Sequence, residues 1–206
     1  MTTSSGYRLE VTSWLPIIGL AFAAFVFNTS EFLPVGLLPD IAESLGETVS
    51  FTGLMITGYA WVVAVMSLPL TIATATFERR KLLLFLIFCF ALAHIVVLWV
   101  GSFATLLAAR VAVALTHSVF WSIMTPLAAR MAPKGKRAVG LAAVMGGTIV
   151  ATVMGIPIGT KLGQMMGWQE AFFVIGAAAL LLMIYIYVYL PPCPSSSAGS
   201  LKSLPV

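Results

Sequence analysis

Six apolar stretches, each about as long as a helix needs to cross a bilayer, divide this sequence almost from end to end. A hydrocarbon core of about 30 Å calls for roughly 20 residues at about 1.5 Å rise apiece. Bounded by charges, Pro and Gly, the stretches fall near 14–38, 51–75, 82–101, 103–128, 139–162 and 171–190. Composition agrees: 60% of residues are apolar and only 9% carry Asp, Glu, Lys or Arg, too little polar surface to coat a globule in water. The sequence therefore predicts an all-α membrane protein of six transmembrane helices over 14–190. An amino-terminal segment at 1–13 precedes it, and a Pro/Ser-rich linker or tail at 191–206 follows. The first stretch is too long for a signal-peptide core, contains Glu31 and lacks a small-residue cleavage site, so it reads as a permanent span.

The net charge of +4 raises nucleic-acid binding, and the placement of the eleven Lys and Arg residues excludes it. They sit in short clusters between apolar stretches, with no basic face interleaved with aromatics. Arg8, Arg79, Arg80, Lys81, Arg130, Lys134, Lys136, Arg137 and Lys202 fall on one side of the topology. Lys161 falls on the other with Asp40, Glu43, Glu47 and Glu170. The positive-inside rule then puts both termini in the cytoplasm. Cys89 and Cys193 form neither a disulfide framework nor a metal-ligand spacing, and no cofactor is implied.

A charge within a bilayer costs at least about 2.5–3.5 kcal/mol on insertion scales, so intramembrane ionisable residues are functional candidates. Glu31 in span one and Arg110 in span four lie at similar depths on the outer side of the mid-plane, placed to face each other across a cavity. His117 follows Arg110 by seven residues, and Asn28 precedes Glu31 by three, so each pair shares a helix side. A low-dielectric site raises a carboxyl's affinity for a proton and a neighbouring Arg lowers it, so such a Glu is able to load and release protons near neutrality.

Span five carries small residues at every fourth position, Ala143, Gly147, Ala151, Gly155, Gly159 and Gly163, a stripe that lets another helix approach closely. Pro157 between Gly155 and Gly159 predicts a helix that bends. Spans three and six read as oily, lipid-facing supports apart from His94 and the tyrosines Tyr185, Tyr187 and Tyr189. Ionisable groups in spans one and four, Gly and Pro in two and five, and oil in three and six are the pattern of a 3+3 inverted repeat.

Several segments carry a resemblance. Asn28-Thr-Ser-Glu-Phe-Leu-Pro-Val-Gly-Leu-Leu-Pro-Asp-Ile-Ala42 and Tyr59-Ala-Trp-Val-Val-Ala-Val-Met-Ser-Leu-Pro69 are similar to first- and second-helix signatures of bacterial sugar efflux transporters, the SotB-like group. Arg110-Val-Ala-Val-Ala-Leu-Thr-His-Ser-Val-Phe-Trp-Ser122 resembles the fourth-helix arginine motif of the major facilitator superfamily. Gly147 through Gly155-Ile-Pro157-Ile-Gly159 resembles the fifth-helix motif of its drug:proton antiporters, and Gly167-Trp168 with Phe172 matches the start of helix six. The resemblance covers nearly the whole chain, as the amino-terminal half of a twelve-helix rocking transporter. It implies export of sugars or related small solutes in exchange for protons across the inner membrane. Glu31 is then the proton carrier and Arg110 its partner. Asn28, Tyr59, Trp61, His117 and Trp121 are candidate cavity-lining residues, and Gly147, Gly155, Pro157 and Gly159 the gating motif. The cytoplasmic loop keeps the family's basic Arg79, Arg80 and Lys81, but Thr71, Ala75 and Glu78 stand where the family has Gly, Asp and Gly, which puts an Asp-based latch in doubt. Gln169 likewise replaces the Arg that commonly follows Gly-Trp.

The enzyme class is disfavoured at the motif level. The two His residues, His94 and His117, come with no Gly-x-Ser-Gly nucleophile of a rhomboid-type protease and no His-Glu-x-x-His zinc motif. Half the span number of the relatives implies a partner, a missing carboxy-terminal half or a second chain, alongside lipid, solute and protons. It leaves open a truncated, non-transporting remnant, a partner-dependent half-transporter or a multidrug exporter.

Overall fold

A computed structural model describes residues 14–194. The segment expected at 1–13 and the tail beyond residue 194 lie outside the described residues, with Arg8 and Lys202. Six helices are long and apolar enough to cross a membrane: span one, Leu15–Gly36; span two, Val49–Ala73; span three, Arg79–Trp99; span four, Phe103–Met131; span five, Arg137–Met166; and span six, Trp168–Tyr189. No strand occurs among the described residues. Spans four and five exceed the sequence expectation because ends carrying Arg130, Arg137 and Gln164 continue the helix beyond the apolar window.

Local chemistry sets the helix starts. Thr48 caps span two by accepting from Phe51 N at 3.2 Å, and Ser102 caps span four in a capping box with Thr105. The Glu78 carboxylate accepts from Arg80 N and Lys81 N, each at 2.9 Å, at the start of span three. An additional helix, Leu38–Leu45, follows span one and ends at Gly46, whose φ of 67° suits glycine.

The packing has a two-fold pattern. Span two lies on span four as span five lies on span one; span three lies on span four as span six lies on span one; and three and six pack together. These relations exchange the first three spans with the last three, as a 3+3 inverted repeat requires. Span one is the most buried, whereas spans two and five are the least. Spans three and six are more than lipid-facing supports. Each keeps an apolar exposed stripe, but Phe90, His94, Phe172 and Ala179 lie buried on their inner faces. At the centre the Phe27 ring stacks between Phe90 and Phe120, with centroids 4.1 and 3.8 Å away, tying spans one, three and four.

The small-residue stripe of span five runs along span one. A Cβ at Gly147 would strike the Ala21 carbonyl, one at Gly155 would meet Thr29 and Phe25, one at Gly159 Leu33 and one at Gly163 Leu37. Both helices advance about four residues per contact, so the seam is continuous. Within it span five changes winding: Arg137–Val150 is α-helical, Ala151–Gly155 forms a π-turn, and Ile156–Met166 resumes the α-helix with Pro157 in its first turn. A proline cannot donate to the preceding turn, and a π-turn absorbs the missing bond.

Candidate functional site

Four consecutive residues of span one fan out around the helix. Each step rotates about 100°, so neighbours in sequence meet different spans. The Asn28 side-chain amide donates to Thr148 O at 3.2 Å and Thr152 Oγ1 at 3.3 Å on span five. The Thr29 hydroxyl faces Gly155 on the same span. Ser30 Oγ lies 2.7 Å from His94 Nε2 on span three. Glu31 Oε2 lies 3.2 Å from His117 Nε2 on span four. Asn28 and Glu31, expected on one side of the helix, are offset enough by their spacing of three to serve different partners.

Partner chemistry fixes the His94 tautomer. Its Nδ1 is 2.8 Å from Phe90 O, a pure acceptor, so Nδ1 carries the hydrogen and Nε2 accepts from the Ser30 hydroxyl. The Ser30 carbonyl in turn accepts from Arg110 Nη1 at 3.2 Å. Arg110 is 1% exposed, and its guanidinium lies over the Tyr59 ring, 4.4 Å from the centroid. Its Nε and Nη2, the Tyr59 hydroxyl and His117 Nδ1 are buried polar atoms with no hydrogen-bond partner among the described residues. Polar capacity of this kind, concentrated in one place, suits a site that binds polar ligands.

Arg110, expected to partner Glu31, makes its hydrogen bond and its aromatic contact elsewhere. The cation rests on a backbone carbonyl and an aromatic face, while the carboxylate reaches the imidazole two turns along span four. Ser30, one residue before Glu31, presents the carbonyl at the level of Arg110. His117 is doubly engaged: the Trp121 indole donates to the same Nε2 at 2.6 Å. Glu31, with a side chain 30% exposed, is the reachable end of this group, and His117 is 1% exposed.

Of the expected cavity residues, Tyr59, His117 and Trp121 come together with Glu31 and Arg110. Asn28 belongs to the span one–span five seam. Trp61 does not join the cluster: two residues from Tyr59 is about 200° of helix rotation, and Trp61 is 67% exposed on the other side of span two. Sequence reasoning passed over Ser30 and His94. The usable signal was the ionisable residue in an otherwise apolar run.

The basic loop motif holds one end of the bundle together. Arg79 donates to Thr74 O at 3.2 Å and Ala75 O at 3.1 Å, satisfying carbonyls just past the end of span two. The Arg80 guanidinium donates to Tyr187 O and covers the Tyr187 ring on span six. Lys81 contributes its backbone N–H to Glu78. Glu78 also accepts from Cys193 N at 2.6 Å, Arg79 N donates to Cys193 O at 2.9 Å, and Arg130 donates to Pro194 O at 2.7 Å. Glu78, a departure from the family pattern, thus binds a helix start and the segment after span six.

Residues 20–204 match the family model of the Major Facilitator Superfamily. The chain belongs to this superfamily. Its fold is that superfamily's six-helix half, and the proteins of the superfamily are transporters, not enzymes. Among solved structures it is similar to a bacterial homolog of the human lysosomal transporter Spinster, in an inward-facing, unoccupied conformation. The TM-score is 0.71 at 18% identity, over 94% of this chain and 45% of that one. A peptide transporter, POT, solved with alafosfalin, gives a TM-score of 0.69 at 13% identity, over 85% of this chain and 37% of that one. The chain therefore spans less than half the length of these superfamily structures.

Proposed function

We propose that this chain forms the amino-terminal half of a bacterial inner-membrane transporter that exports sugars or related small neutral solutes in exchange for protons. The observation that carries the reading is the partly exposed Glu31 carboxylate 3.2 Å from the buried His117 imidazole, inside a bundle of apolar spans. A carboxyl and an imidazole at that distance compete for one proton, and low dielectric makes its gain or loss consequential for whatever binds nearby. Arg110, held on the Ser30 carbonyl and the Tyr59 ring, supplies a fixed positive charge beside them. Both termini face the cytoplasm in this reading, following the basic residues gathered at Arg79–Lys81, Arg130 and Arg137.

The little-buried faces of spans two and five are where a second six-helix half packs, in the same polypeptide or another. The substrate then sits between halves, with Glu31 and Trp121 on one wall. The π-turn at Ala151–Gly155, with Gly147, Pro157 and Gly159 around it, is the flexible element of the gate.

The deciding experiment is proton-driven movement of labelled mono- and disaccharides in vesicles carrying the protein, wild type against Glu31→Gln. Equal membrane insertion with a loss of about a hundredfold in pH-driven flux, the lower end of what a positioned proton carrier contributes, is the expected result. Undiminished pH-driven flux in the variant would falsify the assignment of Glu31.

A further inference from the structure

His117 Nε2 has a single in-plane position for either a lone pair or a hydrogen, yet two groups claim it. The Trp121 indole is only a donor, so its 2.6 Å contact needs a bare Nε2 lone pair. The Glu31 carboxyl at 3.2 Å makes a bond there only if a proton lies between the two atoms, on either of them. Wherever that proton sits, it uses the lone pair that holds the indole. The two contacts are therefore alternatives: neutral His117 with its hydrogen on Nδ1 makes the first, and an Nε2 hydrogen bond to Glu31, reached by tautomer exchange or by proton uptake, makes the second.

We propose that His117 is a positioning residue that transmits proton loading to Trp121: in the unprotonated pair the Nδ1–H tautomer locks the indole, and proton uptake, which occupies Nε2, releases it. The inference rests on the proton-coupled transport reading above and adds what the proton does.

The surroundings favour an exchange over a static compromise. When Nε2 is bare, the ring hydrogen is on Nδ1, a buried atom with no partner among the described residues, so the imidazole has nothing on its far side to hold this state. The other groups facing His117 are Tyr59 from span two, at 5.8 Å between rings, and His94 from span three. Arg110 lies on its own helix, two turns away. Arg137 and Lys161 of span five stand toward that span's ends. None of these makes a hydrogen bond to Nε2, so Glu31 is the carboxylate that shares its proton. Trp121 is half-buried, packed edge-on against Phe120 at 5.2 Å, with part of its surface uncovered. A locked indole is a pre-organised apolar plate with a fixed edge, the surface on which the apolar face of a sugar ring stacks; a released one pays ordering entropy on binding. Proton loading thus weakens solute binding through Trp121, the sign an exchanger requires.

The test is the indole N–H spectrum of the full chain, labelled with 15N-tryptophan and held in lipid nanodiscs, with Trp121 assigned by Trp121→Phe. As pH falls, the Trp121 indole proton is expected to move upfield as its bond to Nε2 is lost. The indoles of Trp14, Trp61, Trp99 and Trp168 should stay in place. Glu31→Gln should alter the pH response of the resonance, because the carboxylate that shares the proton is gone. His117→Asn should abolish the movement. A Trp121 resonance that ignores pH in the wild-type protein overturns the proposal, and so does one that still moves in His117→Asn. If the resonance is static while Glu31→Gln still abolishes pH-driven flux, the exchange at Nε2 is wrong and the transport reading stands. If the resonance moves as expected while flux is indifferent to Glu31→Gln, the exchange stands and the transport reading falls.

Discussion

Arg110 Nη1 donates to the backbone carbonyl of Ser30 at 3.2 Å, so the buried cation of span four is anchored to the main chain of span one. A backbone anchor does not titrate. The positive charge therefore keeps its place whatever the protonation of the groups beside it. The Tyr59 ring beneath the guanidinium completes the seat by cation–π attraction. This predicts different results from two substitutions. Tyr59→Phe keeps the ring and removes a buried hydroxyl that has no partner, so stability should stay within about 0.5 kcal/mol. Tyr59→Leu removes the π face and should cost about 0.5–2 kcal/mol. Unfolding of both variants under the same detergent conditions checks this, and equal losses would show that the ring face does not matter.

Arg110→Lys keeps the charge but not the planar fork that reaches Ser30 O while lying flat on an aromatic ring. A hydrogen bond to a charged group contributes about 1.5–3 kcal/mol, so the variant should unfold several degrees earlier. It should also lose transport. A lysine variant as stable and active as the wild type would mean that position 110 needs only a positive charge.

Gly147 and Gly146 are neighbours with opposite expectations. A Cβ at 147 would run into the Ala21 carbonyl, which is backbone and cannot swing aside, whereas one at 146 meets nothing within 4 Å. Gly147→Ala should therefore push spans one and five apart at a cost of about 1–3 kcal/mol. Gly146→Ala should stabilise, by up to about 1 kcal/mol of helix propensity. Thermal unfolding of the pair reads out both signs at once, and destabilisation by both alike would mean that the seam does not pass through 147.

That seam shows how far a sequence of this kind can be read. The number of spans, their connectivity and the four-residue stripe on span five were legible, because length, charge placement and small-residue period are properties of one helix at a time. The choice of partners was not. Asn28, Ser30 and Glu31 lie within a single turn, yet their bonds go to spans five, three and four, and a sequence gives spacing but no rotational phase between helices. For the same reason Trp61 looked equivalent to Tyr59 until the rotation of span two set them on opposite sides. His94 was visible as the odd residue in an oily stretch, but its meaning depends on Ser30, which is sixty-four positions away.

The His94–Ser30 bond predicts measurable coupling. With Nδ1 committed to Phe90 O, His94 has one acceptor to offer, and Ser30 Oγ at 2.7 Å uses it. A double-mutant cycle of Ser30→Ala and His94→Phe should give an interaction of about 0.6 kcal/mol and no more than about 1.7, the range of side-chain hydrogen bonds between membrane helices. Zero coupling would indicate that the hydroxyl turns back to its own helix. Since the same serine's carbonyl holds Arg110, His94→Phe should also weaken the proposed transport without altering Glu31, His117 or Arg110.

Glu78 makes the last prediction, at the basic end of the bundle. Its carboxylate accepts from Arg80 N, Lys81 N and Cys193 N, so one side chain ties the start of span three to the segment after span six. Cys193 is fully buried there, and burial raises its thiol pKa above the ordinary value. A raised pKa means less thiolate at neutral pH, and concealment adds a steric barrier, so Cys193 in a Cys89→Ser background should react slowly with a maleimide. Glu78→Ala removes a bond to a charged acceptor, about 1.5–3 kcal/mol, and should raise the labelling rate at pH 7 roughly tenfold or more by populating the open tail. Glu78→Gln keeps the acceptor oxygen without the charge and should fall between the two. Equal labelling rates for all three proteins would show that the tail is held by Arg79 and Arg130 alone.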